Sequence, residues 1–210
     1  MVEAETPELV PQREVILRTA ARLFREKGYE RTTVRDLANA VGLQSGSLFH
    51  HFATKTEILA EVMKRGLDLA SEQVADAIAA ESTPDARLKA MFRSYLKALL
   101  SPECRDYMTV LLYDFRSLPP DLAREVHGYR TTQENRWRAV LRESLSDDWS
   151  DAEIRLVSQF VFGAMCWSLQ WYNPSGTATL DELAEQFMQM AMSACRVNDC
   201  TREEAAKDRT

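Results

Sequence analysis

Residues that interrupt helices are scarce in this chain, which has seven glycines and seven prolines among its 210 residues. They fall between stretches of helical periodicity, and no alternation of apolar and polar side chains persists long enough to predict a strand. No repeat with the period of a solenoid is present. These absences exclude a sheet-based fold and a repeat array, and they predict an all-α protein with about nine helices.

Long apolar runs are also missing. The most apolar stretch, Ile154–Trp171, is interrupted by Arg155 and by several polar side chains, so it does not predict a helix that spans a membrane. The first residues lack the charged, then apolar, then small pattern of a secretory signal. We therefore expect a cytoplasmic protein that has no membrane partner.

The residues that build most catalytic and metal sites are few. Three histidines and four cysteines are present, and their spacing matches no zinc-binding pattern. The chain contains no glycine-rich phosphate loop, no Gly-x-Ser-x-Gly elbow and no His-Glu-x-x-His motif. We expect no enzyme activity, no cofactor and no metal site. The cysteines are best interpreted as small apolar residues, and a redox role for Cys195 or Cys200 stays open.

The net charge of −6 argues, by itself, against binding to nucleic acid, but the charges are unevenly distributed. Residues 11–64 contain nine Lys and Arg against six Asp and Glu, which gives this segment a net charge of +3. Residues 65–210 contain 17 basic and 23 acidic side chains, a net charge of −6. This segregation predicts a small DNA-contacting domain joined to a body with a different role.

The basic segment begins with two predicted helices. The first runs from about Gln12 to Lys27, carries its apolar residues on one face and ends at Gly28. Thr33 is a good N-cap for the second helix, and Asp36 is spaced to complete a capping box with it.

A tight turn and a short third helix follow. Val41–Leu43 supplies the turn, with Gly42 at its centre, and Ser45 can cap a helix that ends near Phe52. A helix that enters the major groove needs a small, polar outer face so that its backbone can approach the bases. The residues that meet this requirement are Gln44, Ser45, Gly46 and Ser47. The pattern predicts a helix-turn-helix.

Six further helices are predicted after residue 53, several of them opened by proline. They are expected at about 54–80, 84–100, 102–115, 120–145, 151–172 and 180–196.

This chain resembles the DNA-binding domain of the TetR family of regulators in three segments, which are Thr32–Ala38, Gly42–Phe52 and Lys55–Leu59. The resemblance is strong over residues 12–63 and extends to the remainder as an all-helical body of suitable length. It implies three parts for this chain: a helix-turn-helix domain at 11–53, a ligand-binding and dimerisation body at 54–196, and a flexible tail at 197–210.

The resemblance also implies roles for individual residues. Thr33 and Arg35, at the start of the second helix, would meet backbone phosphate, with a base contact as the open alternative. Lys55 would bind phosphate from the fourth helix. The residues implied to face the bases or lie against the duplex are Gln44, Ser45, Ser47 and His50. Phe49 departs from the family pattern, which usually has a tyrosine whose hydroxyl reaches a phosphate. Phe49 keeps the packing but cannot donate that hydrogen bond.

The body is rich in aromatic residues, most of which we expect to pack its core. Aromatic walls with sparse polar groups also describe a small-molecule pocket. The candidate pocket residues are Tyr95, Tyr113, Arg116, Trp137, Phe160, Trp167 and Trp171. The Trp-rich helix end before the turn at 172–176 resembles family members that sense acyl-CoA thioesters. An acyl-CoA or a fatty acid is therefore the favoured effector, with an aromatic compound or no effector at all as alternatives.

A single recognition helix reads few bases, so a homodimer is expected on a palindromic operator of double-stranded DNA whose half-sites lie about 34–36 Å apart or a multiple of this. The resemblance implies that the last two helices pair across this dimer. The candidate interface residues are Gly163, Leu183, Phe187 and Met190. The alternative is that their apolar stripes are internal core. The sequence as a whole predicts a transcription repressor that a small hydrophobic or amphipathic ligand releases from DNA.

Overall fold

The computed structural model describes residues 11–145 and 147–207, and every regular element in these ranges is a helix. The nine α-helices are α1 (Gln12–Lys27), α2 (Val34–Ala40), α3 (Ser45–Leu48), α4 (Lys55–Ala79), α5 (Pro84–Leu100), α6 (Pro102–Asp114), α7 (Pro120–Glu143), α8 (Asp151–Trp171) and α9 (Leu180–Lys207). A short 3-10 helix, Phe115–Ser117, follows α6. The prediction of an all-α fold is confirmed.

The helix starts follow from local chemistry. Prolines stand at the first positions of α5, α6 and α7, where a missing backbone N–H costs no intrahelical hydrogen bond. Ser150 and Glu153 form a reciprocal capping box at the start of α8. Helix α9 continues to Lys207, past the predicted end at Arg196, and residues 208–210 of the predicted tail lie outside the described residues.

The chain folds into two compact units. The first contains the described residues up to Gly66 together with Asp106–His127, and the second contains Leu67–Arg105 and the described residues from Gly128 onward. The first unit thus includes the segment predicted to bind DNA and adds the start of α4 and the end of α6. None of the helices in the described part of the chain is long and apolar enough to cross a membrane.

In the first unit, α2 packs against both α1 and α3. The apolar faces of these helices and of α4 supply the core. Its largest fully buried side chains are Ile16, Phe24, Leu37, Leu48, Phe52, Ile58, Leu59 and Met63. Each contributes roughly 1.5–3 kcal/mol by leaving water. This core fixes the angle between α2 and α3.

Helices α4 and α6 approach each other closely at Gly66. A Cβ atom placed on Gly66 would lie 2.8 Å from the Cβ of Tyr107 and 3.3 Å from its carbonyl carbon. The atoms in the way are the Cβ and backbone atoms of α6, not the end of a flexible side chain. The clash therefore cannot be relieved by a change of rotamer. Glycine is therefore needed in the middle of α4, where it otherwise costs helix stability.

In the second unit, α5 packs against α8 and α9, and α8 packs against α9. Two ion pairs join α5 to α9: Arg93 to Asp181 at 2.7 Å and Lys89 to Glu185 at 2.9 Å. Exposed pairs of this kind contribute little to stability, on the order of 0–1 kcal/mol each. The apolar contacts between the three helices provide most of the stabilisation.

We predict that Gly66→Ala destabilises the protein by about 1–3 kcal/mol, because the added methyl group overpacks the crossing with α6. Gly128→Ala is the matched control, since Gly128 is also inside a helix but a Cβ there would meet nothing within 4 Å. That control should gain about 0.5–1 kcal/mol. Urea unfolding of both variants measures the difference. Equal stability of the two variants would show that the crossing can open without cost.

Candidate functional site

The start of α2 is held by the predicted capping box. The Thr33 hydroxyl accepts a hydrogen bond from the backbone N–H of Asp36 at 3.1 Å, and the Asp36 carboxylate accepts one from the backbone N–H of Thr33 at 2.9 Å. The Thr33 hydroxyl also donates to the Asp36 carboxylate at 2.7 Å, and the two hydrogen bonds that this carboxylate accepts from Thr33 lower the pKa of Asp36. Thr33 and Arg35 are both exposed, so the structure presents the first turn of α2 to solvent.

Lys55, predicted to bind phosphate, makes three contacts within the chain. Its Nζ donates to the carbonyl oxygens of Tyr29 at 3.0 Å and Thr32 at 3.1 Å, and it lies 4.0 Å from the centroid of the Tyr29 ring. These contacts tie the start of α4 to the loop before α2. The role of Lys55 in binding phosphate stays a prediction.

Arg13 holds the turn that follows α3. Its guanidinium donates to the carbonyl oxygen of His51 at 3.0 Å and to the Glu61 carboxylate at 2.6 Å, and it lies 4.2 Å from the centroid of the Phe52 ring. Burial alone would raise the pKa of Glu61, but hydrogen bonds from Lys64 and Arg13 lower it overall. Sequence reasoning missed this role because the partners of Arg13 are 38 and 48 residues away.

The recognition segment, which we define as residues 44–51, exposes one side of α3 and of the turn after it. Leu48 is only 1% exposed and faces the core. Successive residues are about 100° apart around a helix, so Gly46, Phe49 and His50 point away from the side that Leu48 buries. The exposed residues of the segment are Gln44, Ser45, Gly46, Phe49 and His50. Of the predicted base readers, Gln44, Ser45 and His50 are exposed, whereas Ser47 is half-buried.

In the second unit, two of the predicted pocket residues lie in one aromatic cluster. The ring of Trp137 is 5.0 Å from that of Tyr95, 4.7 Å from that of Phe162 and 5.7 Å from that of Phe92, measured between centroids. The four rings come from α5, α7 and α8. Sequence reasoning did not select Phe92 and Phe162 as pocket residues, because their periodicity also fits ordinary core.

Polar groups border this aromatic cluster. The Tyr95 hydroxyl lies 3.6 Å from the Cys166 thiol, and burial raises the pKa of both groups. One turn before Trp137 on α7, the side-chain oxygen of Gln133 is buried and has no hydrogen-bond partner. An unsatisfied buried acceptor costs about 1–3 kcal/mol, and a ligand that donates a hydrogen bond could recover this cost.

The other predicted pocket residues lie elsewhere. Tyr113 and Arg116 belong to the first unit and are exposed. Phe160, Trp167 and Trp171 are 65%, 63% and 49% exposed on α8, so their side chains do not join the aromatic cluster.

These exposed aromatics form one stripe along α8. We call it the α8 stripe, and it consists of Leu156, Phe160, Gly163, Trp167 and Trp171, spaced three or four residues apart. Gly163 has no heavy atom within 4 Å of a Cβ placed on it. Among the predicted interface residues of α9, Met190 is 54% exposed, Phe187 is half-buried and Leu183 is 8% exposed. Leu183 is therefore buried within the chain, as expected if its apolar stripe belongs to the internal core.

The described residues contain no group of three or more His, Cys, Asp or Glu side chains placed to hold a metal ion. Cys195 is 2% exposed, which protects its thiol from oxidants in solution. The side chain of Cys200 lies outside the described residues.

Two family models together match most of the chain. Residues 16–62 match the model of bacterial regulatory proteins of the tetR family, and residues 81–195 match the model of the tetracyclin repressor-like C-terminal domain. The chain belongs to the TetR family. The predicted family and the predicted DNA-binding regulator, rather than an enzyme, are confirmed.

Relatives with assigned roles include transcription repressors. The chain is 28% identical over 181 residues to the HTH-type transcriptional repressor KstR2 of Mycobacterium tuberculosis strain H37Rv, covering 84% of this chain and 89% of that one. It is also similar to the crystal structure of superantigen PfiT, with 38% identity, a TM-score of 0.74 and coverage of 87% and 97%.

The fold also matches the crystal structure of AibR in complex with isovaleryl coenzyme A and operator DNA. The TM-score is 0.72, the identity is 23%, and the match covers 85% of this chain and 97% of that one. At this identity, the similarity establishes the shared TetR fold.

Proposed function

We propose that this TetR-family regulator is a repressor that binds a palindromic operator as a homodimer and leaves it when a small hydrophobic or amphipathic effector binds. The observation that carries the proposal is the exposed side of the recognition segment. It presents small and polar groups next to a capped α2, on a unit whose charge is positive in the range 11–64. Because a protein that binds operator DNA acts where that DNA is, we propose that this regulator is cytoplasmic.

The proposed DNA contacts divide into two sets. Gln44, Ser45 and His50 read base edges, while Thr33 and Arg35 meet phosphate at the start of α2. Ser47 keeps a smaller role because it is half-buried. Lys55 adds a phosphate contact from the start of α4 in this proposal, as the family resemblance implies.

The proposed dimer forms through the α8 stripe and the exposed side of α9 at Met190. Four large apolar side chains of the stripe are 49–66% exposed, and soluble monomers rarely expose so many in one patch. Covering them with a second copy brings two recognition segments to one operator. Phe160, Trp167 and Trp171 therefore serve the interface rather than the pocket in this proposal.

The proposed effector site is the aromatic cluster with its polar border. The rings of Tyr95, Trp137 and Phe162 suit an acyl or ring system, and the Gln133 oxygen suits a hydrogen-bond donor on the ligand. AibR, which has the same fold, has been crystallised with isovaleryl coenzyme A and operator DNA, and this supports an acyl-CoA as the ligand class. That the ligand releases the DNA is a separate part of the proposal, which the titration below tests. The close ring contacts favour a second candidate, a regulator whose body is packed and takes no effector.

We predict that a duplex selected from random sequences by the wild-type protein binds the Gln44→Ala variant at least about 30-fold more weakly, because one base contact of about 1–3 kcal/mol is lost in each of the two half-sites. Gel-shift titration at a stated salt concentration measures this change. Gln73→Ala, at an exposed position of α4 in the second unit, is the control and should bind like wild type. Equal affinity of both variants would contradict the assignment of Gln44 as a reader.

The same titration tests the effector. Addition of acyl-CoA thioesters of several chain lengths should release the duplex, and free CoA should not. If only simple aromatic compounds release the duplex, the effector class is aromatic compounds and not acyl-CoA. No release by any of these compounds would support the regulator without an effector.

We predict that Trp167→Glu converts the homodimer into a monomer, because a carboxylate would be buried in the apolar interface. Arg155→Glu, on a different side of α8, is the control and should stay dimeric. Sedimentation velocity gives the oligomeric state, and the monomer should bind the selected duplex at least tenfold more weakly. A dimeric Trp167→Glu variant would move the interface away from the α8 stripe.

A further inference from the structure

The exposed arc of the recognition segment contains one feature that polar base reading does not explain. Phe49 is 49% exposed, although its neighbour Leu48 is 1% exposed. A phenylalanine that stays half in water forgoes much of the roughly 1.5–3 kcal/mol that burial would provide. The ring is therefore poorly explained as a core residue of the DNA-binding head, the name we give to residues 11–66.

The backbone carries this ring into the middle of the reading surface. Phe49 is the C-cap of α3 and keeps helical angles, with φ −70° and ψ −12°. It therefore lies four residues after Ser45 on the same side of the helix. Gly46 lies beside it, and a Cβ placed there would meet nothing within 4 Å. The ring thus projects from a surface whose nearest neighbours on the helix are small.

An apolar group on a surface that faces the major groove has a specific partner in DNA. The thymine 5-methyl group is the apolar feature of the major-groove edge of the base pairs, and phenylalanine is among the side chains that contact it. The hydrogen-bonding groups of Gln44, Ser45 and His50 cannot detect a methyl group. An aromatic ring among these polar side chains can recognise a base by an apolar contact, which they cannot provide.

We propose that Phe49 is a specificity-determining residue that contacts the 5-methyl group of a thymine in each operator half-site. The proposal rests on operator binding as proposed above. It assigns to the ring an apolar contact with a base. A contact between the ring and the sugar-phosphate backbone would give no preference for thymine.

The test exchanges thymine for uracil, which removes only the methyl group. A duplex selected by the wild-type protein is resynthesised with deoxyuridine at one thymine position of both half-sites, and each thymine position is scanned in turn. Removing one contacted methyl group should weaken binding about fourfold. Because each scanned duplex lacks the methyl group in both half-sites, binding should weaken about 15-fold at the one position that Phe49 contacts.

Variants of Phe49 then connect this effect to the ring. Phe49→Ala should bind the thymine duplex about 15-fold more weakly than wild type and should distinguish thymine from uracil by less than twofold. Phe49→Tyr keeps the ring and should retain the distinction. The melting temperatures of both variants confirm that the head is folded, and the uracil scan of the wild type requires no variant at all.

Two results would overturn the inference alone. One is a sequence-specific wild type that loses less than twofold at every uracil position. The other is a Phe49→Ala variant that binds weakly yet still prefers thymine. Failure of the wild type to select any duplex would contradict both this inference and the operator-binding proposal.

Discussion

The arrangement of the DNA-binding head depends on one ammonium group. Lys55 is the first residue of α4, where the helix dipole disfavours a cation by about 0.3–1 kcal/mol. Two carbonyl oxygens and the face of Tyr29 surround it, and they offset that cost. The result is a fixed junction between the long α4 and the loop that leads into α2.

Other contacts of the head build on this junction. Thr32, one of the two residues whose carbonyl oxygens accept a hydrogen bond from Lys55, immediately precedes the cap residue Thr33. The ammonium and the capping box therefore fix together where α2 begins. Arg13 holds the end of the recognition segment through the carbonyl oxygen of His51. With the chain held before α2 and after α3, Ser45 and Phe49 are presented on a short helix that would have little stability alone.

The sequence predicted much of what local chemistry determines. The predicted cap of the third helix was wrong, because Ser45 is the first residue of α3 and the N-cap, Gln44, makes no side-chain cap hydrogen bond. The box between Thr33 and Asp36 involves residues three apart, and the prolines that open helices act at their own positions. The contacts of Lys55 and Arg13 join residues 23 to 48 positions apart, and no local pattern encodes them. For the same reason, the spacing of Phe160 and Trp167 revealed a face of α8 but not whether that face is buried or exposed.

The central claim is that Lys55 positions the head and does not serve mainly as a phosphate ligand. Amide hydrogen exchange of DNA-free wild type and Lys55→Met tests it most directly. We predict faster exchange in α2 and the recognition segment of the variant, with α5 and α9 unchanged. Unchanged protection in α2, with only a salt dependence of DNA binding reduced by about one phosphate contact, would contradict the claim.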